Sequence, residues 1–103
     1  MVDRRRRVVW TEQAQRALSE AAEYIAQDSR PAAEAMVARV LEAASSLEYL
    51  SSRGHGISEL SDASIRELFV QPYRLVYRVT EADVVVLALI HQRRNIERWR
   101  KSP

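Results

Sequence analysis

Arginines and one histidine in the C-terminal half are the residues whose types and spacing could do chemistry. Arg74 and Arg78 lie four positions apart in an alternating segment, so their side chains share one face of a predicted strand. Arg66 belongs to the preceding strand, and His91 ends the last one. If two helices cover one face of the sheet, these groups gather on the open face or at its rim. Such a concave basic surface suits recognition of an anion, and with Glu59 as a general base it could support phosphodiester cleavage.

A structural role is the alternative for the same residues. Arg66 and Arg78 could pair with Glu67 or Glu81 across the sheet, while His91 closes a strand end. Other chemistries lack their patterns. With two glycines, the chain has no glycine-rich phosphate loop. It also has no cysteine and no nucleophile-elbow motif, and its two histidines lack the spacing of metal ligands. We therefore expect no metal and no cofactor.

The N-terminal half predicts one strand followed by two helices. The strand spans residues 5–10, and Thr11 is a plausible N-cap for a helix over residues 12–27, whose apolar side chains recur along one stripe. Pro31 suits the first turn of a second helix over residues 32–50, which also has a single apolar stripe. Because the connection between them is short, the two helices should form an antiparallel hairpin.

After Gly56 the apolar period changes to the alternation that is typical of strands. Two short turns separate three strands, over residues 64–70, 74–80 and 84–90, which predicts an antiparallel meander. The last strand is continuously apolar and is expected at the centre of the sheet. From Asn95 a short basic tail helix follows. We expect an α+β fold of order β-α-α-β-β-β, an antiparallel sheet with the helical hairpin on one face. The predicted core comprises Leu18, Ile25, Met36, Val40, Leu47, Phe69, Tyr77, Leu87 and Leu89.

Length and composition indicate a single domain over residues 1–103. The longest apolar run has seven residues, too few to span a membrane, and the arginine-rich start lacks the apolar stretch of a signal peptide, so we expect a cytoplasmic protein. Both ends are basic and the middle, residues 11–52, is acidic. Fifteen of the sixteen cations are arginine, which favours an anionic partner such as nucleic acid or an acidic protein. Codon bias in a GC-rich genome is the alternative explanation.

Two stretches carry a resemblance to a known family. Residues 64–79 read SIRELFVQPYRLVYRV, and residues 84–94 read VVVLALIHQRR. Together they resemble the C-terminal half of the RelE/ParE toxin superfamily, and residues 9–14, 22–26 and 47–54 also match that family's pattern. The resemblance covers nearly the whole chain in order. It implies a helical hairpin on an antiparallel sheet, in agreement with the fold expected from the periodicity.

The resemblance implies the toxin of a type II toxin–antitoxin pair, held inactive by a small protein antitoxin. ParE-like members inhibit DNA gyrase, whereas RelE-like members cleave mRNA in the ribosome, and the strands look more like the ParE side. We expect no membrane partner and no small-molecule ligand. In the ParE-like interpretation, the residues expected to contact the target are Arg66, Arg74, Arg78, Arg93, Arg94 and Arg98.

The nuclease alternative assigns roles to three residues. Glu59, Arg74 and His91 fall near positions that resemble the Glu, Arg and His or Tyr of the YoeB-like nucleases. By that resemblance Glu59 would take the 2′-hydroxyl proton, Arg74 would hold the scissile phosphate and His91 would act as the acid. Whether the chain is an enzyme therefore depends on whether it belongs to the ParE-like or to the RelE-like branch of the superfamily. A third alternative is a family member that binds its partner and is inactive.

Overall fold

The computed structural model describes residues 4–57 and 60–93. Within these ranges, two helices and five strands form an α+β domain, which confirms the predicted fold class. The strands lie in the sheet order β1-β5-β4-β3-β2, with β5 between β1 and β4 as its continuous apolar run predicts. Along the chain the elements are β1 Arg7–Trp10, α1 Glu12–Ala26, α2 Arg30–Ser46, β2 His55–Gly56, β3 Ile65–Val70, β4 Tyr73–Val79 and β5 Asp83–His91.

Side chains cap both helices at their N-termini. The Thr11 hydroxyl accepts a hydrogen bond from the Ala14 amide at 3.1 Å, and the Ser29 hydroxyl accepts one from the Ala32 amide at 3.2 Å. Each cap satisfies an amide that the first helical turn leaves without a partner. Pro31 lies in the first turn of α2, as predicted. The second helix ends at Ser46 rather than at residue 50.

The sheet is mixed rather than wholly antiparallel, which corrects the expected topology. Strands β3, β4 and β5 form the predicted antiparallel meander, but β1 pairs with β5 in parallel, with Arg7 opposite Asp83. The difference follows from β2, two residues that the sequence analysis did not predict and that pair antiparallel with β3. One additional reversal of the chain before β3 inverts the direction of every later strand relative to β1.

The main core lies between the helices and one face of the sheet, here called the helix-facing side. Leu47, Leu75 and Tyr77 are completely buried there. Most of the predicted core is confirmed: Met36, Val40 and Leu89 are buried, and Leu18 and Ile25 are partly buried against them.

Two predicted core residues, Phe69 and Leu87, do not belong to this core. Phe69 is half exposed on the opposite side of the sheet. At Leu87 the pairing with β4 shifts, from Val76 opposite Ala88 to Tyr77 opposite Val86. This β-bulge leaves Leu87 partly buried against the smaller cluster of the far side, whereas Leu89 faces the helices. Within the described ranges, neither helix is long and apolar enough to cross a membrane.

Candidate functional site

Arg74 is the central residue of the candidate site, and a carboxylate holds it. Its Nε donates to Oε2 of Glu67 at 2.8 Å, and its Nη2 donates to the same oxygen. Arg74 lies opposite Phe69 on β3, and Glu67 lies opposite Val76 on β4, so the two side chains are diagonal neighbours on one pleated face. Both residues are more than nine-tenths buried. The positive charge of Arg74 is therefore compensated within the protein.

The face that carries Arg74, here called the far side, is not the open concave surface that the sequence predicted. Ile57 and Leu60 pack on it over Val76, and together with other apolar side chains of the three central strands they form a second buried cluster. Ile57 and Leu60, which follow β2, thus cover the far side of the sheet, as the helices cover the helix-facing side. The prediction of an uncovered basic surface is wrong for this part of the sheet, because apolar residues alternate with the arginines and require cover of their own.

Arg78 lies at the edge of the covered region. Its Nη2 is 3.7 Å from Oδ2 of Asp62, and both side chains are partly exposed. Asp62 also accepts hydrogen bonds from the amide and the hydroxyl of Ser64. Arg78 therefore keeps a guanidinium that solvent reaches, at a site where an exposed ion pair adds little stability.

Arg66 does not join the other two arginines. It pairs with Tyr77 across the β3–β4 ladder, so the pleat directs it to the helix-facing side. There its Nη2 donates to the carbonyl oxygens of Ser52 and Gly54. Its Nε is buried without a hydrogen-bond partner in the described part of the chain. The expectation that Arg66 shares a face with Arg74 and Arg78 is therefore corrected, and Arg66 instead holds the turn that precedes β2.

His91 lies opposite Tyr73 and on the same side of the sheet, with the two rings edge to face and their centroids 5.6 Å apart. Its Nδ1 accepts a hydrogen bond from the amide of Arg93 at 3.3 Å, and Arg93 itself is exposed. Arg74 pairs with Ile90, one residue earlier, and therefore lies on the other side of the sheet. The structure thus separates two members of the predicted catalytic group. Glu59, Arg94, Arg98 and the predicted tail helix lie outside the described residues.

Arginines near the N-terminus organise the turn between α2 and β2, which the sequence analysis did not predict. Arg5 donates from Nε to Oε1 of Glu48 at 2.6 Å and lies over the ring of Tyr49, 5.9 Å from its centroid. The hydrogen bond to Glu48 is the main cause that raises the pKa of Arg5, and Tyr49 adds to it. Arg6 donates to the hydroxyl of Ser51 at 2.8 Å. A run of arginines directly before an apolar strand was the available signal.

The sequence-family model for the ParE toxin of the type II toxin–antitoxin system parDE matches residues 8–96. The chain belongs to the ParE toxin family. It is therefore a toxin of the type II class, and the resemblance read from the two C-terminal stretches is confirmed. Comparison with curated protein sequences gave no significant match. Among the described residues, no three histidine or acidic side chains converge as a metal site requires.

Solved structures of the superfamily share the fold. The chromosomal ParDE toxin–antitoxin system from P. aeruginosa matches with a TM-score of 0.70 and 19% identity, over 84% of this chain and 95% of that one. The YoeB dimer from Staphylococcus aureus matches with a TM-score of 0.53 and 18% identity, over 84% of this chain and 97% of that one. At such identities the likeness concerns the fold alone, whereas the ParE family assignment comes from the sequence.

Proposed function

We propose that this ParE-family toxin inhibits growth by binding DNA gyrase and that a cognate protein antitoxin neutralises it. The observation that carries the proposal is the match of the ParE family over residues 8–96. The likeness to ParE toxins implies DNA gyrase as the target. The similar ParDE toxin–antitoxin system supports a cognate antitoxin as the partner. The proposal requires a binding surface and no catalytic group.

The environment of Arg74 supports this choice over a ribosome-dependent nuclease. A nuclease needs a cation that meets the scissile phosphate in a site that substrate can enter. Arg74 is 9% exposed, and its charge is compensated by Glu67. His91, the candidate acid, lies on the other side of the sheet, with Tyr73. In the nuclease alternative these groups have to be rearranged on the ribosome before they act together.

The described arginines that suit contact with gyrase are the exposed ones. Arg93 is exposed, and the side chain of Arg78 is 44% exposed. Arg74 is buried, so we assign it a structural role, whereas Arg94 and Arg98 stay in the proposed target-binding set on the sequence argument. Arginines on a target-binding surface should raise the association rate and make it dependent on salt.

Parallel assays of the purified toxin test the proposal. We expect it to inhibit supercoiling of relaxed plasmid by gyrase, and the antitoxin to restore supercoiling at equimolar concentration. We expect no cleavage of mRNA on programmed ribosomes. Cleavage that His91→Ala abolishes, with supercoiling unaffected, would assign the nuclease function instead. Activity in neither assay, with antitoxin binding retained, would indicate an inactive binding member.

A pair of charge variants sharpens the test. Arg93→Ala should weaken inhibition of gyrase, because it removes an exposed cation of the proposed contact surface. Arg16→Ala is the matched control, since Arg16 is exposed on α1 and pairs with Glu12 at 3.0 Å. Equal inhibition by the two variants would remove Arg93 from the target-binding set.

A further inference from the structure

Tyr49 and Leu50, here called the 49–50 tip, are adjacent large apolar residues that the fold leaves exposed. Tyr49 is 56% exposed and Leu50 is 52% exposed. Leu47, two residues before the tip, is 0% exposed, and Ser51, directly after it, is 2% exposed. The tip therefore projects from two anchored points of the chain. Single exposed apolar residues are common on protein surfaces, but two adjacent ones held in this way indicate an interaction site.

Hydrogen bonds fix the backbone of the tip. The Leu50 amide donates to the carbonyl of Ser46 at 3.1 Å, and the Leu50 carbonyl accepts from the Arg53 amide at 2.9 Å. The Tyr77 hydroxyl donates to the Ser51 carbonyl at 2.9 Å, from inside the core. The Arg6 amide donates to the Glu48 carbonyl at 2.8 Å. Because the tip is already ordered, a partner that docks on it loses little conformational entropy of this chain.

The charges around the tip favour an acidic partner. Arg5 lies over the Tyr49 ring, Arg6 donates to the hydroxyl of Ser51, and the Arg53 amide donates to the Leu50 carbonyl. Arg5 pairs with Glu48 at 2.6 Å, whereas Arg6 and Arg53 donate to hydroxyls, so cations exceed carboxylates around the tip.

Two other exposed apolar residues, Tyr24 and Leu41, provide the contrast. Tyr24 is 73% exposed and Leu41 is 46% exposed, and they belong to α1 and α2. Residues 12–46, which comprise both helices and their connection, carry six acidic residues against three arginines. An acidic segment is therefore repelled by the hairpin and attracted to the arginines beside the tip.

We propose that the 49–50 tip binds an acidic segment of the antitoxin that inserts at least one large apolar side chain against Tyr49 and Leu50. The inference rests on the proposed function, since it names the surface that the neutralising partner covers. Carboxylates of the segment pair with Arg5 and Arg53, which are exposed, and its apolar side chain packs on the tip. A central apolar contact with a charged rim is the arrangement in which a few residues carry most of the binding free energy.

Binding of two double variants tests the proposal. The probe is the purified protein encoded by the gene beside this one, titrated into the full-length toxin by calorimetry. Tyr49→Ser with Leu50→Ser should raise the Kd by about 30-fold or more, the loss expected for a binding hot spot. Tyr24→Ser with Leu41→Ser, the matched control, should change it by about 3-fold or less. Both pairs are exposed, so both variants should keep the wild-type unfolding midpoint.

Each remaining outcome has one meaning. A tip variant that binds the probe as tightly as the control variant overturns the inference and leaves the proposed function intact. A tip variant that keeps antitoxin binding but loses inhibition of gyrase also overturns it, because the tip then contacts the target. Failure of the wild-type toxin to bind the probe contradicts the proposed antitoxin itself. If the Kd of the complex between the wild-type toxin and the probe does not rise with salt concentration, the proposed segment is not acidic.

Discussion

On the helix-facing side of the sheet, two amphipathic helices bury Leu75 and Tyr77 completely, whereas on the far side Ile57 and Leu60 cover a smaller cluster and leave Phe69 half exposed. The same strands supply both sides through alternate residues. On the helix-facing side, apolar contacts form the core, while the Tyr77 hydroxyl and the Arg66 guanidinium donate to carbonyls of the segment before β2. The far side combines a small apolar cluster with a buried ion pair. The comparison shows that a strand pattern with arginines on one face predicts a binding surface only when nothing else in the chain covers that face.

The largest expected effect concerns the ion pair of the far side. Glu67→Ala leaves the guanidinium of Arg74 buried without its carboxylate, so the free energy of unfolding should fall by about 3–5 kcal/mol. The double variant Glu67→Leu with Arg74→Met should recover most of that loss, because an apolar pair of similar volume needs no charge compensation. Urea unfolding measures both. A single variant as stable as the wild type would show that solvent reaches Arg74.

The next largest loss of stability is expected from a cavity on the helix-facing side. Leu89→Ala should lower the free energy of unfolding by about 2–5 kcal/mol, because Leu89 is 8% exposed within the main core. Leu87→Ala is the control from the bulge, where the side chain is partly buried against the far side. Leu87→Ala should lower the free energy of unfolding by about half as much as Leu89→Ala, or less. Equal losses would mean that the two sides are packed alike.

The buried hydroxyl of Tyr77 gives a smaller effect. It donates to the Ser51 carbonyl and accepts from the Gly54 amide, both at 2.9 Å. Tyr77→Phe leaves these two groups without that partner, and we expect a loss of about 1–3 kcal/mol in thermal or urea unfolding. Gly54→Ala should also destabilise, because a Cβ there would collide with the Tyr77 hydroxyl and the Glu67 carbonyl oxygen. A neutral Tyr77→Phe would indicate that water replaces the hydroxyl.

The smallest effect is expected at Phe69. Phe69→Ser removes a ring that is 50% exposed and 6.4 Å from the ring of His55, so the free energy of unfolding should change by about 0.5 kcal/mol or less. Circular dichroism during thermal unfolding measures the change. A loss comparable to that of Leu89→Ala would return Phe69 to the core, where the sequence analysis had placed it.

The sequence predicted the elements well because their signals are local. Thr11 and Pro31 mark helix starts that the structure confirms, and the apolar run of β5 is consistent with its interior position, although β4 is the central strand. The errors are not local. A two-residue strand has no period to detect, yet β2 changes the direction of the later strands. The bulge at Leu87 moves one residue out of the alternation, which no count of apolar positions reveals.

The candidate site was less predictable than the fold. Residues 65–70 carry apolar groups on both alternations, so the sequence alone did not decide which side receives Arg66 and which receives Phe69. Pairing with β4 decides it, and that pairing also brings Glu67 to Arg74. The sequence therefore predicted the chemical types at the site. Their partners depend on register, which is a property of two strands together.

The parallel pairing of β1 with β5 has a consequence for synthesis of the protein. Arg7 meets Asp83 across a sequence separation of 76 residues, so the first strand stays without its neighbour until the last strand has been translated. Contacts of such long range slow folding, and synthesis delivers the N-terminal elements first. The nascent toxin thus carries an unpaired β1 for most of its translation, and a completed sheet arises late.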